Sequence, residues 1–197
     1  QDLPTALSAP WNNQVGHLKN SHFLFFADFN EDCAYGAYLF HNHSVLNSSL
    51  MMLSELCYDS MHSYKNSRCA GLRSQVTESL DCAFLKDCQG CQNCFASANL
   101  RNKRYFIFNK PHTKETYFEE IKKWDLGSYQ SYQDIQTKAE VHWKTLPPKS
   151  EFNEFSVNST GSNVFQSKNC KQCFEVVGAE DSKYVFMLQS PPIRDCY

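Results

Sequence analysis

Residues 57–108 read CYDSMHSYKNSR, CAGLRSQVTESLD, CAFLKDCQGCQN, CFASANLRNKRY and FIF. Each of the first four segments begins with a cysteine: Cys57, Cys69, Cys82 and Cys94. The cysteines follow each other at twelve residues, with one step of thirteen, and Phe106 stands twelve residues after the last. A fixed period of this kind predicts a repeated structural unit that buries its apolar side by stacking on its neighbours.

The period of twelve continues on both sides of this stretch, and half-steps of six fall mostly on small or apolar residues. Gln75 interrupts the half-step series in the segment that carries the extra residue. The predicted stacked core ladder comprises Cys33, Val45, Cys57, Cys69, Cys82, Cys94, Phe106, Cys173 and Val185.

The segments favour strands over helices, because they lack helical spacing of apolar residues and Asn, Asp, Ser and Gly interrupt them every few residues. Asp or Asn directly precedes a cysteine in 32–33, 81–82, 87–88, 93–94, 169–170 and 195–196. This pairing indicates a turn residue followed by a small, buried one. We therefore predict a mainly β protein, a parallel β-helix or solenoid with two-sided coils of about 12 residues.

The pattern changes after residue 112. Thr113 is a good N-cap, and Phe118, Ile121 and Trp124 follow on helical spacing. Ser131 with Asp134 resembles the start of a second helix, which a pair of prolines ends at 147–148. The sequence thus predicts an irregular N-terminal arm (1–16), a β-solenoid (17–112), an inserted α-helical hairpin (113–150) and a continuation of the β-solenoid (151–197).

Composition excludes some classes of protein. The net charge of −2 disfavours a general nucleic-acid surface, so no nucleic-acid partner is expected. No run of 18 apolar residues occurs, so no membrane span is expected. The first residues also lack the basic and apolar regions of a signal peptide.

Four cysteines lie close together in sequence: Cys82, Cys88, Cys91 and Cys94. Four thiolates are the number that binds zinc or an iron–sulfur cluster. Three of them also fit consecutive half-steps, so a buried structural role explains all but Cys91. Disulfides between stacked cysteines are the third alternative, because strands one step apart bring Cα atoms within bridging range. The favoured interpretation is a structural core with no cofactor.

Other candidate sites are weaker. Cys57, Asp59 and His62 could form a nucleophile–base group, and His41 and His43 could bind a metal from one side of a strand. Arg101, Lys103, Arg104 and Lys110 form a basic cluster. The sequence lacks a glycine-rich phosphate loop and an HExxH motif, which favours a non-catalytic protein.

Three segments carry a resemblance to a family: CQGCQNCFASANLRNKRYFIFNKPHTKETYF (88–118), SKNCKQCFEVVGAEDSKY (167–184) and RDCY (194–197). They resemble uncharacterised cysteine-rich repeat proteins of candidate-phyla-radiation bacteria, whose N-terminal zinc-ribbon part this chain lacks. The resemblance implies no activity and carries no functional residues over. Together with the absence of a signal sequence, it weakly favours a cytoplasmic location.

Two hypotheses follow. The chain is a non-catalytic structural or protein-interaction module, which presents a flat solenoid face to a protein partner or to further copies of itself. The alternative is a metal-binding (zinc or iron–sulfur) or thiol-redox protein that uses the clustered cysteines.

Overall fold

The protein is mainly β and contains a curled parallel sheet and two helices. The computed structural model describes residues 11–149, 153–188 and 193–197. The strands are β1 (Asn13–Lys19), β2 (His22–Glu31), β3 (Ala34–Phe40), β4 (His43–Leu46), β5 (Ser49–Met52), β6 (Glu55–Tyr58), β7 (Met61–Tyr64), β8 (Ser67–Ala70), β9 (Val76–Thr77), β10 (Leu80–Ala83), β11 (Gln92–Phe95), β12 (Arg104–Ile107), β13 (Lys110–Pro111), β14 (Asn153–Glu154), β15 (Gly161–Phe165), β16 (Cys173–Val177), β17 (Ala179–Glu180), β18 (Phe186–Leu188) and β19 (Ile193–Arg194); the helices are α1 (Lys114–Ile121) and α2 (Tyr129–Lys144).

The strands of the large sheet pair in parallel, mostly at a spacing of twelve residues, except that β13 at its edge pairs antiparallel with β12. Cys57 stands opposite Cys69, and Cys69 opposite Cys82 across the thirteen-residue step. The extra residue also shifts the neighbouring strand, because Ser63 pairs with Val76 rather than with Gln75. The sheet curls because the short strands form two arms, one through β4, β6 and β8 and one through β5, β7 and β9, which join at β2 and β3.

Within each twelve-residue step, the buried positions recur every third residue. From Leu18 to Leu72 each third residue is buried, except the partly exposed Gly36, and the series resumes from Val76 to Leu100. Four residues in each twelve-residue step therefore direct their side chains into the core. The prediction of two-sided coils with six-residue half-steps is therefore wrong, because a six-residue half-step contains two inward positions and not one.

The turns are made by the residue directly before the inward position, which adopts a positive φ; before Val76 the positive φ lies instead one residue earlier, at Ser74. Asp32, Asp81 and Asn93 have φ values of 55°, 54° and 50°, and each precedes a buried cysteine. The predicted pairing of a turn residue with a small buried residue is thereby confirmed. Non-glycine residues in this left-handed region cost roughly 1–2 kcal/mol each, so the regular hydrogen bonds between steps must offset the strain.

The predicted N-terminal arm is wrong from residue 13 onward. Residues 13–19 form β1, which pairs in parallel with β2 in the same register of twelve, for example Val15 with Ala27. The strand escapes prediction because its apolar residues, Val15 and Leu18, stand three apart, whereas half-buried strands alternate every two residues. Residues 1–10 of the predicted arm lie outside the described residues.

The two predicted helices are present, with differences at their ends. Thr113 is the N-cap of α1, as predicted, and it also forms a capping box with Thr116. The cap of α2 is Ser128, whose hydroxyl accepts from the Ser131 N–H, so the predicted start at Ser131 is three residues late. On α1 the buried residue is Tyr117, whereas Phe118, which the sequence placed on the apolar side, is 41% exposed. The helix therefore packs on the sheet with the side that carries Tyr117.

The hairpin covers the outer side of the sheet over β8, β10, β11 and β12. One apolar cluster joins Ala83, Phe84, Phe95 and Ile107 of the sheet segment to the helices, and the helix residues in it are Tyr117, Tyr132, Ile135, Ala139 and Trp143. Alanines at residues 70, 83, 96 and 98 let the helices approach the backbone. Partly buried polar contacts add to this packing, since the Tyr132 hydroxyl donates to the Asp59 carboxylate (3.0 Å), which also pairs with Arg73 (2.8 Å).

The chain divides into two compact units after Leu146. In the second unit, β14, β15, β16 and β18 form a parallel sheet, and β17 pairs with β19. Its core contains Val164, Cys170, Cys173, Val176 and Ala179, again three residues apart with one position at Ser167. Gly161 pairs with Cys173 at φ 136°, where an added Cβ would lie 1.8 Å from the Cys173 carbonyl oxygen.

Candidate functional site

The cysteine thiols of the first unit donate hydrogen bonds to interior carbonyl groups. The Cys57 Sγ lies 3.2 Å from the Glu55 oxygen and 3.8 Å from the Asn66 oxygen. Cys33, Cys69, Cys82 and Cys88 repeat the same two contacts, to the carbonyls two residues before and nine or ten residues after each cysteine. The tight turns direct these carbonyls inward, where a small side chain that can donate, such as cysteine, provides them with a partner.

Serine and asparagine meet the same requirement in the other inward rows, and they also satisfy the inward N–H groups. Asn42 accepts from the Ser54 N–H through Oδ1 (3.0 Å), and its Nδ2 donates to the Met51 carbonyl (3.1 Å) and to Asn30 Oδ1 (3.1 Å). The row continues because the Ser54 Oγ accepts from the Asn66 N–H (3.2 Å). The interior is therefore a hydrogen-bonded polar core as well as an apolar one.

The four cysteines of the predicted metal site occupy inward positions of one core, with Leu85 between Cys82 and Cys88. Cys82, Cys88, Cys91 and Cys94 are all buried and unbridged. Cys91, which the half-step pattern left unexplained, is an ordinary inward residue three positions before Cys94. The Cys94 N–H donates to the Cys82 Sγ (3.4 Å), and neighbouring thiols shift the pKa of one another, Cys88 with Cys91 and Cys91 with Cys94. In the described part of the chain, they are not among the groups of three or more possible ligands whose atoms all lie within 4.8 Å of one another.

Burial changes the acidity of the interior thiols. It raises the pKa of Cys33 to about 11 and also raises the pKa of Cys170. Contact with the Cys91 thiol, and then burial, raise the pKa of Cys88. Thiols with raised pKa values are poor nucleophiles at neutral pH, because the thiolate is the reactive form.

The raised pKa of Cys33 predicts a loss of stability at alkaline pH. The unfolded thiol ionises near pH 9 and the folded one near pH 11, so stability that is present below pH 9 is lost as pH rises toward 11. We expect wild-type protein to lose about 2 kcal/mol more than Cys33→Ser between pH 8 and pH 11. Urea unfolding at each pH measures the difference, and equal losses would contradict it.

The predicted nucleophile–base group is not assembled. Cys57 points into the core, where its thiol donates to carbonyls, and Asp59 faces the hairpin, where it binds Arg73 and Tyr132. The geometry gives the two side chains separate structural roles.

The two histidines at positions 41 and 43 lie on an outer face beside other ionisable groups. His43, Glu31 and Asp32 bring one ligand atom each to within 4.8 Å of one another, and they are the one such group in residues 11–149, 153–188 and 193–197. His41 does not join them and instead stacks on Phe29 (4.7 Å). The Glu31 carboxylate already pairs with Lys19 Nζ at 2.5 Å, which would compete with a cation.

The basic cluster is spread over different environments. Arg101 is partly buried and donates to the Asp87 and Leu100 carbonyls, whereas Lys103, Arg104 and Lys110 are exposed. Arg101 is thus engaged in hydrogen bonds within the fold.

Exposed apolar side chains are concentrated on the steps between residues 11 and 64. They include Trp11, Phe23, Phe25, Phe26, Phe29, Tyr35, Leu46, Met52, Leu53, Leu56, Tyr58, Met61 and Tyr64. Several form stacked pairs one step apart, such as Phe23 with Tyr35 (5.2 Å) and His17 with Phe29 (4.2 Å). Exposed apolar side chains that adjoin one another are candidates for contact with a partner.

The sequence signal for the inward rows was available but has a period of three. At every multiple of three from 15 to 72, the residue is Val, Leu, Ser, Ala, Asn, Cys, Gly or Met, with no charged or aromatic side chain. The periods of twelve and six are multiples of this one. Searching for cysteine alone conceals it, since serine and asparagine fill the intervening positions.

No helix in the described part of the chain is long and apolar enough to span a membrane.

Comparison with known proteins gives little further guidance. No family model and no curated protein matches the chain. Among solved structures, one similar chain is a candidate acetyltransferase from Desulfovibrio desulfuricans G20, with 9% sequence identity and a TM-score of 0.20. The match covers 92% of this chain and 54% of that one, so this chain spans about half of its length. A similarity this low supports no conclusion about function.

Proposed function

We propose that the protein is a non-catalytic structural or protein-interaction module built on a parallel β-helix. The register of twelve residues with four inward turns per step supports closed, four-sided coils, so that each side of the stack would present a flat outer face. In this proposal the resemblance to cysteine-rich repeat proteins describes the scaffold, and the partner is a protein or a further copy of the chain.

The observation that carries this proposal is that the interior residues and the surface residues have different roles. The interior cysteines are engaged as donors to backbone carbonyls, which makes them parts of the scaffold. The outer faces of the first steps instead carry uncovered aromatic and aliphatic side chains. In such a scaffold the polar groups of the core are hydrogen-bonded and apolar side chains lie on the surface. This arrangement suits binding of a partner better than catalysis.

The competing candidate is a metal-binding or thiol-redox protein. The observation in its favour is the burial of Cys82, Cys88, Cys91 and Cys94 in one core, where neighbouring thiols shift the pKa of one another. Zinc or iron–sulfur ligation would require these thiols to leave their carbonyl partners and converge on one point.

Elemental analysis combined with thiol titration separates the two candidates. We expect natively purified protein to contain zinc and iron at far below one equivalent. A thiol-reactive dye should label about one of its ten cysteines rapidly, because only Cys196 is partly exposed. All ten should react after denaturation. Stoichiometric metal, or fewer than ten thiols in denaturant, would refute the structural proposal.

A further inference from the structure

One outer row of the sheet is covered by the helical hairpin along only part of its length. The row, here called the hairpin row, consists of successive register partners: His22, Ala34, Leu46, Tyr58, Ala70, Ala83, Phe95 and Ile107. From Ala70 onward it packs against α1 and α2. From His22 to Leu46 the same row continues in the same register; His22 and Ala34 are half-buried there, and Leu46 is exposed to solvent.

Helix α2 runs along the row and begins where the exposed part ends. Near its start, the Tyr132 ring packs against Tyr58 and Phe84, with ring centroids 5.5 Å and 4.8 Å away. Near its end, His142 lies against Phe108 (5.4 Å). The axis of α2, extended backwards past Tyr58, therefore points along Leu46 and Ala34.

The exposed part has the chemistry of the covered part. Under the hairpin, the row consists of Ala70, Ala83, Phe95 and Ile107, and Phe84 beside it joins Phe95 in the apolar contacts with the helices. On the exposed part, Ala34 is the small residue, Leu46 is 45% exposed, and Tyr35 and Phe23 beside the row are 62% and 50% exposed. Tyr35 and Phe23 stack on each other at 5.2 Å, so their position is fixed without a partner.

The length of the exposed part also suits a helix. Three steps from His22 to Tyr58 span about 14 Å at the usual strand spacing. A helix covers that distance with about ten residues, which is close to three turns. An apolar stripe of the kind that α2 carries, Tyr132, Ile135, Ala139 and Trp143, would be long enough to occupy it.

We propose that the exposed part of the hairpin row binds an amphipathic helix of a partner protein, in line with α2 and with the apolar spacing of α2. The helix buries Leu46, Tyr35 and Phe23 against aromatic and small apolar side chains and leaves its polar face in water. This inference rests on the proposed function and names the face and the kind of partner.

The test uses the full chain and a fluorescently labelled peptide with the sequence of residues 128–146, followed by fluorescence anisotropy. We expect saturable binding that Leu46→Glu weakens at least tenfold. Leu53→Glu is the matched control, because Leu53 has the same 45% exposure but lies outside the hairpin row. Circular dichroism and tryptophan fluorescence establish that both variants are folded.

Three outcomes would overturn the inference: no binding of the peptide to folded wild-type protein, equal effects of the two variants, or self-association in sedimentation that Leu46→Glu abolishes. The last would identify a second copy as the occupant. These failures are distinct from failure of the proposed function, which is decided by metal and thiol content. If the protein contains no metal and does not bind the peptide, only the proposal of a helical partner is refuted.

Discussion

Replacing Asn42 with leucine is expected to lower the free energy of unfolding by about 2–5 kcal/mol, although the two side chains have similar volumes. Asn42 is 3% exposed, and its side chain accepts from the Ser54 N–H and donates to the Met51 carbonyl. Leucine can do neither, so two interior backbone groups lose a partner at a cost of about 1–3 kcal/mol each.

Urea unfolding followed by tryptophan fluorescence is the suitable measurement, because Trp11, Trp124 and Trp143 all belong to the first unit. Asn13→Leu is the control, since Asn13 is exposed at the start of β1 and its change should stay within about 0.5 kcal/mol. A loss below 1 kcal/mol for Asn42→Leu would show that the asparagine row contributes little to the core.

Replacing Phe84 with alanine is expected to cost about 3–5 kcal/mol and to loosen the hairpin. Phe84 is fully buried between the sheet and α2, with ring centroids 5.8 Å from Phe95 and 4.8 Å from Tyr132. Alanine leaves a cavity between two rigid elements that cannot close around it. The increase in hydrogen exchange should therefore be largest in α2.

Phe155→Ala separates the loss of packing from any effect on the backbone. Phe155 has the same φ of 54° as Phe84, but its side chain is 85% exposed. Since it belongs to the second unit, its unfolding is followed by hydrogen exchange of that unit. A large loss in this variant would indicate that the aromatic side chain itself favours the left-handed backbone, and packing would then explain less of the Phe84 result.

The sequence predicted the strand register better than it predicted the number of inward positions in each twelve-residue step. Cysteine spacing predicted which residues stand opposite each other, and Cys57, Cys69 and Cys82 do stand opposite. The number of inward turns was missed because Asn42, Ser54 and Asn66 look like surface or turn residues. Buried polar residues are recognisable only when the backbone groups that they satisfy are known.

The candidate sites were less predictable, for a related reason. The prediction paired Cys57 with Asp59 because they are close in sequence. Successive residues in this backbone face different directions, so Cys57 points into the core and Asp59, two residues later, faces the hairpin. The cluster of Glu31, Asp32 and His43 combines residues one step apart in the register. The position of the hairpin was also beyond prediction, since its apolar stripe indicates that a surface exists but not which row supplies it.

The repeated left-handed residue has an evolutionary consequence. Across the described chain, the positions with positive φ include Phe, Tyr, Leu, Lys, Glu and many Asn and Asp, but no Val, Ile, Thr or Pro. Branching at Cβ, or a proline ring, is incompatible with this backbone, whereas almost any other side chain is admitted. A saturation-mutagenesis map should therefore show depletion of those four amino acids at one codon in three, while the outer surface diversifies freely around an unchanged frame.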